Sequence, residues 1–562
     1  MKSKNKPEVI LVQPSGMYWQ PGVSRGHSTS DAYELALLNH YLKKEGIESD
    51  YLVQRPLGTN KDFYQGTKRI TPAAPDIDKL AEEISQGNPR VVGIEAMSCY
   101  SDNAIKLASQ IKARNKDIVI VTGGYHPSGY PEMLQDAKGN IDYAVLGAGE
   151  KTLTNLVKSI LSGVKPSKGR QVRALPQIGE NSRRTAINQS AYALINNGEV
   201  QLVGRLESDL IESFDKIGIP ERKMEYQDGS VSGVLSIIPP NKQVMATTQT
   251  RRGCDGGCTY CASSNVYGKK GNKLFSGSNV RSASNVVSEL EYLSRLGINF
   301  IFFTDPTFNE DGKYMKELAR GIIEAKKQGT ISSEMALYAM LRPFSQKQME
   351  QRGLSLEQYK LLRQAGFTRI AFGVESPDNE TLKTFGRSNT LSDLERHLEE
   401  IHNCGMFTRG FMMYGHEKET PESLSRYVDV MKSLHVDEWR LSPMAPFVGT
   451  ISGDAFLARQ EKRDFTKHDA LYPVVVPGAI KQKFSSAGFS AEDEARAFMI
   501  NWQKATIKSV YESEEWKARM KEKYQRFPEL REGIDFYLNY LKNNLGDSFN
   551  NNSNTGEGKN GI

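Results

Sequence analysis

Over the first 162 residues, short apolar runs alternate with stretches in which apolar positions recur every three or four residues. The runs at 8–12, 50–53, 91–96, 118–122 and 141–146 predict strands. The periodic stretches at 31–45, 77–85, 103–113 and 151–161 predict helices between them. In the first helix Leu35, Leu38 and Leu42 share a face, Asp31 stands at the cap with Glu34 reaching back, and Gly46 ends it. Runs that are apolar throughout have both faces covered, so the pattern predicts a doubly wound parallel α/β sheet with ligands beyond the strands' carboxyl ends.

From 163 to 241 the pattern weakens into scattered Pro, Gly and charge, apart from a hairpin expected over 191–206 around Asn197-Gly198. This stretch is expected to be a linker. Alternation then resumes. Strands are expected at 243–250, 298–304, 334–341, 369–374, 407–414 and 438–443, with helices at 280–296, 312–327, 356–365, 391–403 and 421–434. Six strand-led units over 242–455 predict a partial parallel (β/α)6 barrel whose site lies at the strands' carboxyl ends. Helices follow at 491–511, 515–526 and 534–545, making 456–545 a C-terminal helical domain. The tail 546–562 is rich in Asn, Gly and Ser and is expected to be disordered.

Composition narrows the picture by exclusion. With 38% hydrophobic and 25% charged residues the chain reads as an ordinary soluble protein. A net charge of +6, spread over 73 basic and 67 acidic residues, is too dilute to point to nucleic acid or membrane partners. No run approaches a membrane span, the start MKSKNKPEVILVQP reads as a first strand rather than a leader, and a cytoplasmic location is expected. Five cysteines, three of them clustered, argue against a disulfide scaffold and for a reducing compartment.

Those three are Cys254, Cys258 and Cys261, spaced C-x3-C-x2-C on a loop with glycines at 253, 256 and 257. Three thiolates on a Gly-rich loop can hold three corners of a cubic [4Fe-4S] cluster and leave one iron open to a substrate or cofactor. The alternative is a structural zinc site, which wants four closed ligands and typically a second C-x2-C knuckle. Cys99 and Cys404 are each isolated.

The spacing, with Tyr260 just before the third cysteine, resembles the radical S-adenosylmethionine (SAM) enzymes. Upstream, the loops Ser98-Cys99-Tyr100, Gly123-Gly124-Tyr125-His126 and Gly147-Ala148-Gly149-Glu150 resemble the Rossmann-like B12-binding domain of the cobalamin-dependent branch of that family, with its GG-x-H and G-E-G-E-like loops. Ala148 stands where that branch usually has an acidic residue. Downstream, Asp305-Pro306-Thr307-Phe308, Gly373-Val374-Glu375-Ser376, the loop from Tyr414 to Thr420 and Pro446 to Thr450 resemble the branch's acidic turn, G-x-E-S ribose contact, G-x-P-x-E-T loop and P-x-P-G-T loop. His416 and Lys418 depart from the third of these. The resemblance covers roughly residues 7–455.

It implies three cofactors: a [4Fe-4S] cluster on Cys254, Cys258 and Cys261, SAM near Tyr260, Asp305, Glu375 and Ser376, and cobalamin near Ser98, Gly123, Gly124, His126, Gly147, Gly149 and Glu150. B12 domains of another kind carry D-x-H-x-x-G after the first strand. Here His27 lacks the Asp, so no histidine is expected beneath cobalt. The activity implied is methyl transfer from SAM via methylcobalamin to an unactivated carbon (less often phosphorus) of a small-molecule or peptide substrate, with an external electron donor of flavodoxin or ferredoxin type. The alternatives are a cyclase or ring-rearranging oxidoreductase with the same cofactors, a non-catalytic B12 sensor, and a methylthiotransferase, which would want more N-terminal cysteines than Cys99.

Overall fold

In the computed structural model the described residues are 6–14, 17–20, 23–26, 32–54, 76–178, 180, 182–223, 244–263, 279–459, 473–484 and 491–545. The chain forms two compact units that interleave in sequence. One comprises Met1–Tyr226, Arg251–Ser282 and Ala445–Tyr472, the other Gln227–Thr250, Ala283–Met444 and Pro473–Ile562. Among the described residues no helix is long and apolar enough to cross a membrane.

In the first unit β1 (Val9–Gln13) leads to a small antiparallel hairpin, β2 (Met17–Gln20) and β3 (Val23–Gly26), and then to α1 (Tyr33–Lys44). There follow β4 (Ser49–Val53), α2 (Ile77–Gly87), β5 (Val91–Glu95), α3 (Ser101–Arg114), β6 (Val119–Gly123), β7 (Tyr143–Val145) and α4 (Glu150–Leu161). Strands β4, β1, β5, β6 and β7 are parallel neighbours in that order, the doubly wound arrangement expected. Apolar residues of the central strands fill two separate cores, Ile10, Val92 and Ile120 in one and Val9, Val91 and Val121 in the other, because alternate residues of a strand face opposite sides.

Two expectations are corrected here. The stretch expected to be a linker contributes β8 (Val172–Ala174), β9 (Ser190–Asn196) and β10 (Glu199–Gly204), which extend the same sheet antiparallel from β7 in the order β9, β10, β8. The hairpin lies where expected, its turn made by Asn197 (φ 51°) and Gly198 (φ 80°), both left-handed as a two-residue hairpin loop needs. Tyr192, Ala193, Leu202 and Val203 are buried, and the buried Asp209 carboxylate takes the Arg170 guanidinium at 2.5 Å. At α1 the residue before the helix is Ala32 in the left-handed region (φ 48°) with no side-chain cap, and Asp31 lies outside the described residues. Glu34 turns to Arg252 instead.

The second unit is built on β11 (Met245–Thr248), β12 (Phe300–Phe303), β13 (Ala336–Leu341), β14 (Phe367–Glu375), β15 (Phe407–Tyr414) and β16 (Glu438–Pro443), all parallel and adjacent in chain order. Helices α5 (Ala283–Arg295), α6 (Gly312–Lys327), α7 (Glu357–Ala365), α8 (Leu391–Asn403) and α9 (Pro421–Ser433) connect them. Ile301, Phe303, Leu337, Ile370 and Phe372 join the helices in the main core. Met245, Phe300, Ala336, Tyr338 and Ala371 form a separate cluster on the other face. Two short helices, Gln346–Gln351 and Asn379–Thr384, were not expected, being too short to show a period; Ser345 and Asp378 cap them.

Helices α10 (Ala491–Tyr511), α11 (Glu514–Arg526) and α12 (Arg531–Leu545) complete this unit. They are core elements: Trp516 donates to the Asp437 carbonyl (2.9 Å), and the fully buried Lys523 pairs with the Asp437 carboxylate and donates to the Met406 carbonyl (2.9 Å). The tail expected to be disordered lies outside the described residues.

Candidate functional site

The cysteine loop begins where Arg251 bridges Val280 and the Arg252 N–H donates to the Asn279 carbonyl (3.0 Å). Gly253 then adopts φ 84°, which a residue with a Cβ rarely adopts, and turns the chain into Cys254. Cys254 Sγ accepts from the Gly256 N–H (3.2 Å), the Cys261 N–H donates to the Cys258 carbonyl (3.3 Å), and the Thr259 carbonyl accepts from Ser452 (3.0 Å). All three cysteines are free thiols and partly exposed, as is Tyr260 in the turn before Cys261.

Buried Arg252 fastens this loop to the sheet of its own unit. Its Nη2 lies 2.5 Å from Glu150 Oε1 and 3.1 Å from Glu34 Oε2, and its guanidinium stands 5.1 Å from the Phe214 ring centroid. Among the described residues no group of three His, Cys, Asp or Glu is gathered closely enough to hold a single metal ion. Three soft thiol donors spread around a glycine-bearing loop fit the corners of an iron-sulfur cluster.

The sheet's carboxyl edge is organised by the loops singled out in the sequence. Ser98 Oγ lies 3.1 Å from His126 Nδ1, and the His126 N–H donates to the Ala96 carbonyl (3.1 Å), so these two residues are partners of each other. Gly124 has φ 106°, and a Cβ there would stand 2.8 Å from the Ala96 carbonyl oxygen. Ser128 Oγ donates to the Gly124 carbonyl (2.7 Å) and accepts from the Gly147 N–H (3.0 Å), joining two loops. Gly149 lies against Leu38 of α1, while a Cβ on Gly123 would meet open space. Ala148 is buried with Tyr33, Leu37, Tyr41, Ile211, Phe214 and Ile217, an apolar setting that explains the missing acidic residue. His27 lies outside the described residues.

Among the described residues, the buried atoms Gln13 Oε1, Glu95 Oε2, Glu150 Oε2 and Thr152 Oγ1 at this edge have no hydrogen-bond partner. Gln13 and Glu95 end β1 and β5, and burial pushes the Glu95 carboxyl up to about 7. Tyr125 reaches the side chain of Ser263, two residues past Cys261, and burial raises its hydroxyl to about 12. An opening at Gly123 beside polar atoms awaiting partners suits a ligand rimmed with amides, as the corrin ring is. Sequence reading missed Gln13 and Glu95, although a polar residue closing an otherwise apolar strand (VILVQ, VVGIE) was a usable signal.

The remaining expected residues lie in the second unit. Asp305 is fully buried, its oxygens accepting from the Thr250 N–H (2.9 and 3.1 Å) and Thr250 Oγ1 (2.7 Å), so it anchors the residue that precedes the cysteine loop. Glu375 ends β14 at φ 69°, where the register with β15 shifts between Gly373 and Glu375. Arg387 donates to the Gly373 carbonyl (2.7 Å) and stands 3.8 Å from Glu375 Oε1. Ser376 is buried, its Oγ accepting from the Asp378 N–H (3.1 Å). In the loop after β15, Glu419 turns back to accept from the Gly415 N–H and from Tyr427 OH (2.6 Å), while Thr420 caps α9. Desolvation raises the Glu419 carboxyl to about 7, against the lowering effect of those two donors. The Pro446 to Thr450 segment belongs to the first unit, where Gly449 lies against Gly129.

Residues 28–157 match the B12 binding domain model and residues 248–431 that of the radical SAM superfamily. The chain is 24% identical over 371 residues to an uncharacterised methyltransferase of Pyrococcus horikoshii, covering 66% of this chain and 70% of that protein. It is also 24% identical over 461 residues to the anaerobic magnesium-protoporphyrin IX monomethyl ester cyclase of Rubrivivax gelatinosus, covering 77% and 74%. Among solved structures it is similar to the radical SAM methyltransferase TsrM of Kitasatospora setae, solved with cobalamin and a [4Fe-4S] cluster, with a TM-score of 0.58 at 20% identity over 79% of this chain and 76% of that one.

Proposed function

We propose that this chain, which joins a B12-binding domain to a radical SAM domain and so belongs to the cobalamin-dependent radical SAM enzymes, moves the methyl group of SAM to an unactivated carbon of a small-molecule or peptide substrate. The observation that carries the reading is the bond from Arg252 of the cysteine loop to Glu150 of the B12-type sheet. A salt bridge between two buried side chains is strongly directional, and breaking it leaves an uncompensated charge. It therefore fixes the cysteine loop against the sheet edge that would hold the second cofactor.

In this reading Cys254, Cys258 and Cys261 hold a [4Fe-4S] cluster, and Gln13, Glu95, Ser98, Gly123, Gly124, His126, Gly147, Gly149, Glu150 and Thr152 form the bed of cobalamin. Tyr260, Asp305, Glu375 and Ser376 serve SAM, Glu375 by accepting from its ribose hydroxyls and Asp305 and Ser376 by positioning the backbone. When bound, the cluster would supply the reducing electron for SAM cleavage, and cobalamin would supply a carrier for the methyl. The residues' own work is to bind, orient and keep water out. An external flavodoxin-type or ferredoxin-type donor supplies electrons in the cytoplasm.

The test supplies SAM labelled in its methyl group, a reductant and candidate substrates to anaerobic holoenzyme. Label in the product supports methyl transfer. The similarity to a cyclase keeps ring formation as the second reading, and a cyclised or oxidised product without label would establish it.

A further inference from the structure

The six-stranded sheet carries a cation that the proposed chemistry leaves unused. Along β16, Trp439 and Leu441 join the helices in the core, so Glu438, Arg440 and Ser442 lie on the opposite face. Phe411, the register partner of Arg440, packs against the cluster on that face, as do Phe302 of β12 and Met340 of β13. Arg440 is half-buried, and its Nε donates to Ser442 Oγ (3.2 Å). Among the described residues no carboxylate lies within ion-pair distance of its guanidinium.

Its neighbours supply no spare negative charge. Nearer the strands' amino ends, the buried Arg369 and Arg409 share the single carboxylate of Glu438, Arg409 Nη2 lying 3.1 Å from Oε1. The Glu375 carboxylate faces Arg387. Three guanidiniums, Arg369, Arg409 and Arg440, and one carboxylate that the first two share leave this face positive, and a half-buried guanidinium gains most from an anion that completes its fork of donors. On the same face Phe302, Met340 and Phe411 offer apolar and aromatic surface.

We propose that Arg440 recognises the substrate, and that the substrate is an anion, its carboxylate or phosphate on the guanidinium and its apolar body against Phe302, Met340 and Phe411. Arg369 and Arg409 are committed to Glu438 and serve as the positive background. The inference rests on the methyltransferase reading and names its substrate class. A carboxylate also exists on SAM itself, so the experiment separates the two sources.

Anaerobically reconstituted holoenzyme is dialysed to equilibrium against phenylphosphate, indole-3-propionate and, as the uncharged counterpart, indole; SAM binding is measured in parallel. The wild type retains both anions in preference to indole. Arg440→Gln weakens both by about tenfold, Arg440→Lys recovers part of the loss, and both variants keep the wild-type circular dichroism spectrum and SAM isotherm. Failure of the wild type to prefer the anions, or equal retention by Arg440→Gln, overturns the proposal. So does a SAM isotherm weakened by the same factor, which would give the guanidinium to SAM. Anion binding that depends on Arg440 in an enzyme that moves no labelled methyl would support the anion site while ending the methyl-transfer reading.

Discussion

Glu375 holds a backbone conformation that side chains with a Cβ resist, φ 69°, at a cost of about 1 kcal/mol or more. Such strain persists where the position of the side chain matters. Glu375→Gly should therefore melt at or above the wild-type temperature while binding SAM about tenfold more weakly, as read by calorimetry and a binding isotherm; unchanged SAM binding would return Glu375 to a purely structural role. Replacing Cys254, Cys258 and Cys261 together by Ala should remove nearly all iron and sulfide from anaerobic protein. Retention that depends on Cys99 or Cys404 would refute the cluster assignment. Glu419 gives a pH prediction. Its folded pKa, about 7, is raised above that of an unfolded carboxyl, so its contribution to stability is present below about pH 4.3 and is lost as pH rises through 7. Glu419→Gln should flatten the fall in denaturation midpoint between pH 5 and pH 8, and an unchanged profile would show that Glu419 stays ionised. The cysteines were legible because one short loop carries them all. Gln13 and Glu95 were not, since their meeting at one sheet edge depends on the pairing of β1 with β5, which no local pattern encodes.

Elements whose ends are marked by caps or glycines were legible to the residue: α6, α8 and β15 begin and end where the pattern put them. Strands β8 to β10 were missed as sheet members because β8 is an edge strand with Val172 and Ala174 exposed, leaving no apolar alternation to read. Their placement predicts that deleting 165–204 unfolds the first unit, since β9 covers the edge of β7; a cooperative urea transition of undiminished slope would contradict this. Close approach of two segments gives a sharper test. A Cβ on Gly129 would lie 2.5 Å from the Val448 carbonyl oxygen, so Gly129→Ala should destabilise by ~1–3 kcal/mol, measured by denaturant titration.

At the scale of the whole molecule the sequence read as beads in a row, whereas each compact unit draws on three separate pieces of chain. Apolar patterning reports which residues are buried but not which distant segment buries them. Val448 and Leu457 illustrate this, because both belong to the core that Ile10, Val92 and Ile120 fill. The interleaving also orders events on the ribosome. The segment from Ala445 to Tyr472 emerges only after residues 227–444 have been made, on the order of 10–40 s at about 5–20 residues per second. For much of that interval Cys254, Cys258 and Cys261 are already synthesised, yet Ser452, which takes the Thr259 carbonyl beside them, is not. The nascent chain therefore carries three thiols on an unfinished loop, open to oxygen and to stray metal ions, and cluster loading during translation would compete with both.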